Sequence, residues 1–296
     1  MAAQRNNTQS YSFIIIIIGI ALAVLCLRGC FLSEKKAVLP RQKPALEKPV
    51  VKPAKKQAKR PVIKKPGEPL GRIAVVIDDW GYNNSHCTYL ALMPASAGIA
   101  ILPGLPYSRD IIQCSVKNNK LPMLHLPLEP YNHKEMFKEG YVLTTAMNAK
   151  MLRTTLLKVM SGMEGVVGVN NHTGSKGSES ELLMTTVLAE TRKRGLFFVD
   201  SVTSDHSVGG AMAAKLKMRI ARRDVFLDNR NDRDYIEKKF AETAAIARDK
   251  GYALAIGHDR ALTLQIIIEQ MKKLSEQGYE FITVTDYIKK NEYPRH

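Results

Sequence analysis

Cysteine is too scarce and too scattered in this chain to build a zinc knuckle or a disulfide framework: there are four among 296 residues, with no metal-ligand spacing. Cys87 and Cys114 fall in helix-like stretches and read as small buried hydrophobes. No G-x-G-x-x-G and no G-x-x-x-x-G-K-[ST] follows any strand-like run, which counts against a dinucleotide or P-loop site. No exposed heptad or apolar stripe marks a helical assembly seam. Stacking aromatics do not interleave with the basic residues, as they do in single-strand nucleic-acid binders. The formal net charge of +16 nonetheless invites a nucleic-acid reading. Its distribution argues against one: residues 34–70 hold 12 Lys/Arg and 3 Asp/Glu, whereas residues 73–296 hold 29 and 25. The charge belongs to an arm, and nucleic acid is not an expected partner.

What is present comes in three parts. Residues 1–33 contain an unbroken apolar run from Phe13 to Leu27 with five consecutive isoleucines. It is shorter than the ~20 residues of a typical spanning helix, but extended through Tyr11 and Phe31-Leu32, with Arg28 snorkelling, it would still span. Three readings stay open: an uncleaved anchor, a cleaved signal peptide, and a lipoprotein signal ending at Leu27-Arg28-Gly29-Cys30, with Cys30 lipidated. Lys35, Lys36 and Arg41 after the run outnumber Arg5 before it, which by the positive-inside rule alone keeps the bulk of the chain cytoplasmic. The signal-like position and the arm that follows favour export. The expectation is a single anchor in a bacterial inner membrane with the folded part in the periplasm, or else a secreted or Cys30-anchored form.

Residues 34–70 carry seven of the fourteen prolines, with Lys-Pro at 43–44, 48–49, 52–53 and 65–66. Such a segment cannot bury enough apolar surface to fold and reads as an extended, self-repelling spacer. From residue 71 to 296, in a chain that is 45% hydrophobic, strand-like runs alternate with helical patterns. Strands are expected at 73–77, 98–102, 122–126, 166–169, 196–199, 225–227, 252–256 and 281–284. Helices are expected near 84–93, 108–118, 149–160, 179–194, 209–216, 233–250 and 262–277. Alternation of this kind implies right-handed crossovers and a parallel sheet, either a closed or nearly closed barrel or an open doubly wound sheet.

The chemistry lies in how the runs end. The first ends in Ile77-Asp78-Asp79-Trp80-Gly81, two adjacent acids that repel each other and resist desolvation. The others end in His125-Leu126-Pro127-Leu128-Glu129-Pro130, Gly168-Val169-Asn170-Asn171-His172-Thr173-Gly174-Ser175, Phe197-Phe198-Val199-Asp200-Ser201, Phe226-Leu227-Asp228-Asn229 and Ala255-Ile256-Gly257-His258-Asp259. In a parallel barrel all these ends face one mouth, where histidines and carboxylates would form a metal site with an acid/base pair. Singly, each has a bland reading: a hydrogen-bonded structural histidine, a turn at Asn170-Asn171, a cap at Asp200-Ser201. His86, His133, His206 and His296 lack the strand-end placement and receive no role.

Taken in order, these six motifs resemble the divergent polysaccharide deacetylase family, over essentially all of residues 71–290. That family is related to the NodB-type carbohydrate deacetylases, and the resemblance implies a distorted (β/α)7-type barrel of parallel strands and a polysaccharide substrate. It implies Asp78 as catalytic base, His258 as general acid, and Asp79 and His125 as ligands of a divalent metal, with zinc the first expectation. Glu129 stands where the family's second ligand histidine is expected, so Glu129 or His172 would complete the set. Asn170, Asn171, Asp200 and Asp228 are expected at the substrate or the oxyanion. The implied function is a metal-dependent de-N-acetylase of peptidoglycan or another envelope glycan. The alternatives are an envelope scaffold that keeps the fold and binds polysaccharide without turnover, and a glycoside hydrolase pairing Asp78 with Asp200 or Asp228.

Overall fold

The computed structural model describes residues 67–291, apart from Ala95 and Glu139. The expectations for the apolar run, Cys30 and the arm up to residue 66 lie outside the described residues. Among the described residues no helix is long and apolar enough to cross a membrane.

The strands are β1 (Arg72–Trp80), β2 (Gly98–Ile101), β3 (Leu121–Leu128), β4 (Gly168–Thr173), β5 (Phe197–Asp200), β6 (Ala221–Arg222), β7 (Val225–Phe226), β8 (Tyr252–His258) and β9 (Glu280–Phe281). The helices are α1 (Cys87–Leu92), α2 (Ser108–Lys117), α3 (Ala149–Met160), α4 (Glu181–Lys193), α5 (Gly209–Lys215), α6 (Arg233–Lys250), α7 (Ala261–Glu276) and α8 (Val284–Lys290). The parallel sheet runs β6-β5-β4-β3-β2-β1-β8-β7, with β9 paired to the start of β1. Because β6 and β7 are consecutive in the chain yet lie at opposite ends of that order, the sheet curls round on itself as a barrel does. Among the described residues no ladder joins them. The result is a curled, barrel-like α/β sheet.

Period-two alternation divides each strand between two cores. Ile73, Val75, Ile77, Ile99, Ile101, Leu124, Leu126, Val169 and Phe198 face outward, into the layer formed with the surrounding helices. Ala74, Val76, Ala100, Met123, Val199, Ala221, Leu254 and Ile256 face inward. Both faces are dry, which is why the strands read as apolar runs rather than as alternating patterns. The inward alanines leave space that α8 fills, with Val284, Tyr287 and Ile288 packed against them. Gly168 is small for a related reason: a Cβ there would meet the Phe197 ring at 2.3 Å.

Three local expectations are corrected. The run 281–284 forms strand only over Glu280–Phe281. Thr283 then accepts a hydrogen bond from the Asp286 N–H at 3.1 Å and starts α8, so helix capping overrides β-propensity. The pair Ala221–Arg222 adds to β5 as a strand too short to show a pattern. Cys87 and Cys114 are not separate buried thiols: α1 and α2 pack side by side and the two form a disulfide, with Cα atoms 6.4 Å apart.

Candidate active site

Inward alternation carried to the ends of the strands delivers the polar groups. On β1 the inward series is Ala74, Val76, Asp78; on β3 it is Met123, His125; on β4, Gly168, Asn170, His172; on β8, Leu254, Ile256, His258. The pairing register sets Asp78 beside His258 and His125 beside Asn170, so these four share one layer. Asp79 should point outward but does not. Its backbone is left-handed, φ 67°, and the register against β2 shifts between Ile77 and Trp80. That irregularity turns a second carboxylate into the mouth, while Trp80 stays fully buried in the outer core.

Asp79 Oδ1, His125 Nε2 and His172 Nδ1 converge, their ligand atoms all within 4.8 Å of one another. Asp79 Oδ1 lies 3.2 Å from His125 Nε2 and 3.1 Å from His172 Nδ1, and the two ring nitrogens are 3.1 Å apart. The tautomer of His125 follows from its neighbour. Asn170 Nδ2 donates to Asp78 Oδ1 at 2.8 Å, so Asn170 Oδ1 is the atom 2.9 Å from His125 Nδ1 and accepts its proton. A neutral His125 therefore turns a bare Nε2 toward a buried carboxylate oxygen that has no hydrogen-bond donor of its own. Lone pairs meet lone pairs, an arrangement that a shared cation stabilises. Without one, protons must substitute. Burial opposes charge on His125, but Asp78 and Asp79 outweigh it and hold its pKa above the ordinary imidazole value. For Asp79 burial pushes upward, and the hydrogen bonds and charges of His125 and His172 more than reverse it, to well below the carboxylate range.

Two further groups flank this triad. Asp78, 2% exposed, has its carboxyl pKa raised by burial, and its Oδ2 lies 3.6 Å from His125 Nε2. With Oδ1 already held by Asn170, Oδ2 is the oxygen available to take a proton. On the other side His258 Nδ1 lies 2.7 Å from Asp228 Oδ1, leaving Nε2 toward the mouth, 3.9 Å from Asp79 Oδ2. Burial works against a charged His258, but Asp228, with help from Asp79 and Asp78, raises its pKa. A cavity of about 630 Å³ opens over these residues.

The remaining sequence candidates take other places. Glu129 does not join the cluster: its oxygens accept from Lys176 Nζ at 2.8 Å and from the N–H and hydroxyl of Thr145, each at 2.7 Å. It ties the end of β3 to the loops beyond β4 and before α3, and His172 supplies the second imidazole. Asn170 is fully buried beneath Asp78 and His125 and is a bridge between them, not an oxyanion donor. Asn171 is also spent, accepting from Ser201 N at 2.9 Å and donating to Thr173 O and Thr203 Oγ1. Asp200 accepts from Val202 N and Ser207 Oγ and closes the turn after β5. Asp228 is fully buried and orients His258, with Thr263 Oγ1 donating at 2.9 Å. Neither acid is free to partner Asp78 across a glycosidic bond.

A stack beside His258 has no signal in the sequence. Phe226 lies against His258 with ring centroids 5.1 Å apart and 21° between planes, and the Arg223 guanidinium covers its other face at 4.5 Å. Arg223 also donates to the carbonyls of Ser201 and Val202. No spacing signal announces it, because it sits in the two-residue link between β6 and β7. His86 was missed as well: its Nδ1 lies 2.6 Å from Asp259, a carboxylate whose pKa burial raises.

The curled parallel sheet thus carries at its mouth an Asp/His/His cluster with the donor set of a metal site. The chain belongs to the divergent polysaccharide deacetylase family, whose sequence model matches residues 75–288. It is 30% identical over 205 residues to an uncharacterized protein of Haemophilus influenzae, covering 69% of this chain and 72% of that one. It is 27% identical over 204 residues to the uncharacterized protein YibQ of Escherichia coli, covering 69% of this chain and 63% of that one. Among solved structures, an uncharacterized protein of Agrobacterium tumefaciens C58 superposes with a TM-score of 0.71 at 20% identity, over 76% of this chain and 92% of that one. At that identity the likeness concerns the fold.

Proposed function

We propose that this chain is an envelope-located, metal-dependent carbohydrate de-N-acetylase acting on peptidoglycan or another N-acetylated polysaccharide. One observation carries the reading: Asp79 Oδ1, His125 Nε2 and His172 Nδ1 converge on one point, with a raised-pKa carboxylate on one side and an Asp-oriented histidine on the other. Two imidazoles and a carboxylate suit zinc and leave a coordination position open. A divalent cation held there would acidify water and polarise the acetamide carbonyl.

The protein's own groups account for the protons. Asp78, made more basic by burial and offering Oδ2, removes a proton from the attacking water. As the C–N bond breaks, His258 gives the proton on Nε2 to the sugar nitrogen, and Asp228 stabilises the imidazolium until it does so. Water is consumed; acetate and a free amine result. The binding-scaffold reading rests on two departures from the family pattern, Glu129 and Asn170-Asn171; the place of His172 beside Asp79 and His125 supports turnover against it.

Location belongs to the same proposal. The apolar run and the basic, proline-rich arm support a single N-terminal anchor in the inner membrane with the barrel in the periplasm. The Cys87–Cys114 disulfide suits that oxidising compartment. The mass of the mature N-terminus separates a retained anchor from cleavage or lipidation at Cys30.

The activity is tested by acetate release from peptidoglycan and from chitin oligomers, using zinc-loaded full-length protein. Activity is expected to fall roughly 10²–10⁴-fold in Asp78→Asn and in His258→Ala. Full activity in Asp78→Asn would refute the base. Shortened glycan chains without acetate would point to a glycosidase.

A further inference from the structure

In a parallel sheet with returning helices, every strand begins and each connecting helix ends at one pole, opposite the mouth. Exposed acids lie at that pole too, among them Asp249, Glu276 and Glu280, but one part of it is basic. Arg192 and Lys193 close α4, Lys217 and Arg219 lie on the link into β6, and Lys289 and Lys290 close α8; all six are exposed. They form one patch. The Arg192 side chain donates to the Leu216 carbonyl beside Lys217, and Arg219 Nη1 donates to the Lys289 carbonyl at 3.2 Å. Asp286 balances one charge, 3.4 Å from Lys289. Helix dipoles favour cations at the ends of α4 and α8. They give no reason for Lys217 and Arg219, which lie on a connection.

The same pole receives the chain. Leu70 N donates to Gly278 O at 2.8 Å and Arg72 pairs in register with Tyr252 and Glu280, so the polypeptide enters β1 at the end away from Asp78 and Asp79. The sequence leading there carries 12 Lys/Arg against 3 Asp/Glu over 34–70, after the apolar run 13–27. The described chain thus enters β1 at this pole, and the sequence that precedes it is basic as well.

We propose that this pole docks on an anionic phospholipid bilayer, turning the mouth away from the membrane toward the polymer. The proposal rests on the envelope reading above. Lys and Arg near an anionic bilayer are attracted within a Debye length, so contact is expected to be salt-sensitive and lipid-specific. A neutral bilayer offers the apolar run the same anchorage without engaging the pole.

Lysine acetylation rates, read by mass spectrometry on the full chain, test it directly. With phosphatidylglycerol vesicles, Lys193, Lys217, Lys289 and Lys290 are expected to react roughly tenfold more slowly than with phosphatidylcholine vesicles. Lys134, exposed on the loop after β3 at the mouth, is expected to be unchanged. About 1 M salt, where the Debye length is ~3 Å, removes the protection. The double substitution Lys217→Glu/Arg219→Glu leaves the arm intact and restores the reactivity of Lys193 and Lys289. Equal rates on both lipids, equal slowing of Lys134, or protection that survives the double substitution would overturn the proposal. So would equal protection by soluble polyphosphate, which indicates a soluble anionic polymer, or concentration-dependent protection without vesicles, which indicates a second copy of the chain. Flotation with vesicles in high salt reports the apolar anchor separately. A chain that does not float refutes the tether, while the rates on phosphatidylglycerol still decide the pole.

Discussion

Asp79 abandons the strand's alternation, and that departure creates the site. A residue at φ 67° is costly for any side chain but glycine, yet here it turns a second carboxylate toward two imidazoles. The Asp-Asp pair was legible in the sequence as an anomaly at the mouth of a buried strand; the twist that makes both acids converge was not. The same holds at Glu129. Its position in the motif suggested a ligand, but only the fold shows Lys176 and Thr145 closing on it. Burial pushes the Glu129 pKa up, and these two partners pull it below the ordinary carboxylate value. Its stabilising contribution is therefore present above that ordinary range and lost as pH falls through the folded value. Glu129→Gln is expected to lower stability by about 1–3 kcal/mol at neutral pH, a deficit that shrinks in acid, checked by urea unfolding across pH. His258 carries the opposite sign. Its raised pKa keeps it protonated to higher pH, so the proposed activity is expected to fall as pH rises through that value. Removing the Asp228 charge in Asp228→Asn lowers the pKa, so the alkaline limb of the pH–rate profile is expected to move to lower pH. An unmoved limb would remove His258 from the role of acid.

Among the elements, the long, two-sidedly buried strands and the long helices were readable because their patterns repeat several times. The helix over Ala149–Met160 and that over Arg233–Lys250 have the expected bounds, each opened by a side-chain cap from Asn148 or Asp232. Elements of two residues carry no period, so β6 was invisible. The error at 281–284 has a specific cause. Phe281, Ile282 and Val284 look like a strand, yet Thr283 with Asp286 three residues later is a helix-start signature. Replacing Thr283 with Ala is expected to cost about 1 kcal/mol and to speed amide exchange along α8. If exchange there is unchanged, the cap does not hold the plug. The inward alanines of β1, β2 and β6 announce nothing singly. Their meaning appears only when α8 is seen to occupy the space they leave.

At the scale of the whole molecule, one end carries the Asp79/His125/His172 mouth while the other receives the chain. The nearly balanced charge of residues 73–296 conceals this division, because composition sums over both ends. The disulfide was hidden for a similar reason: a separation of 27 residues says nothing until α1 and α2 are side by side. In protein isolated from the envelope, Cys87 and Cys114 are expected to resist alkylation under denaturing conditions until reductant is added. Immediate labelling of both would contradict an oxidising location. Asp79, His125 and His172 are proposed to hold one divalent cation, without Glu129. Metal content by mass spectrometry, on full-length protein purified without a histidine tag and supplied with zinc, decides it. About one ion per chain is expected in the native protein and in Glu129→Gln, and none in Asp79→Ala or His172→Ala. Retention of the ion by His172→Ala with its loss in Glu129→Gln would make Glu129 the ligand and contradict the Asp79/His125/His172 set.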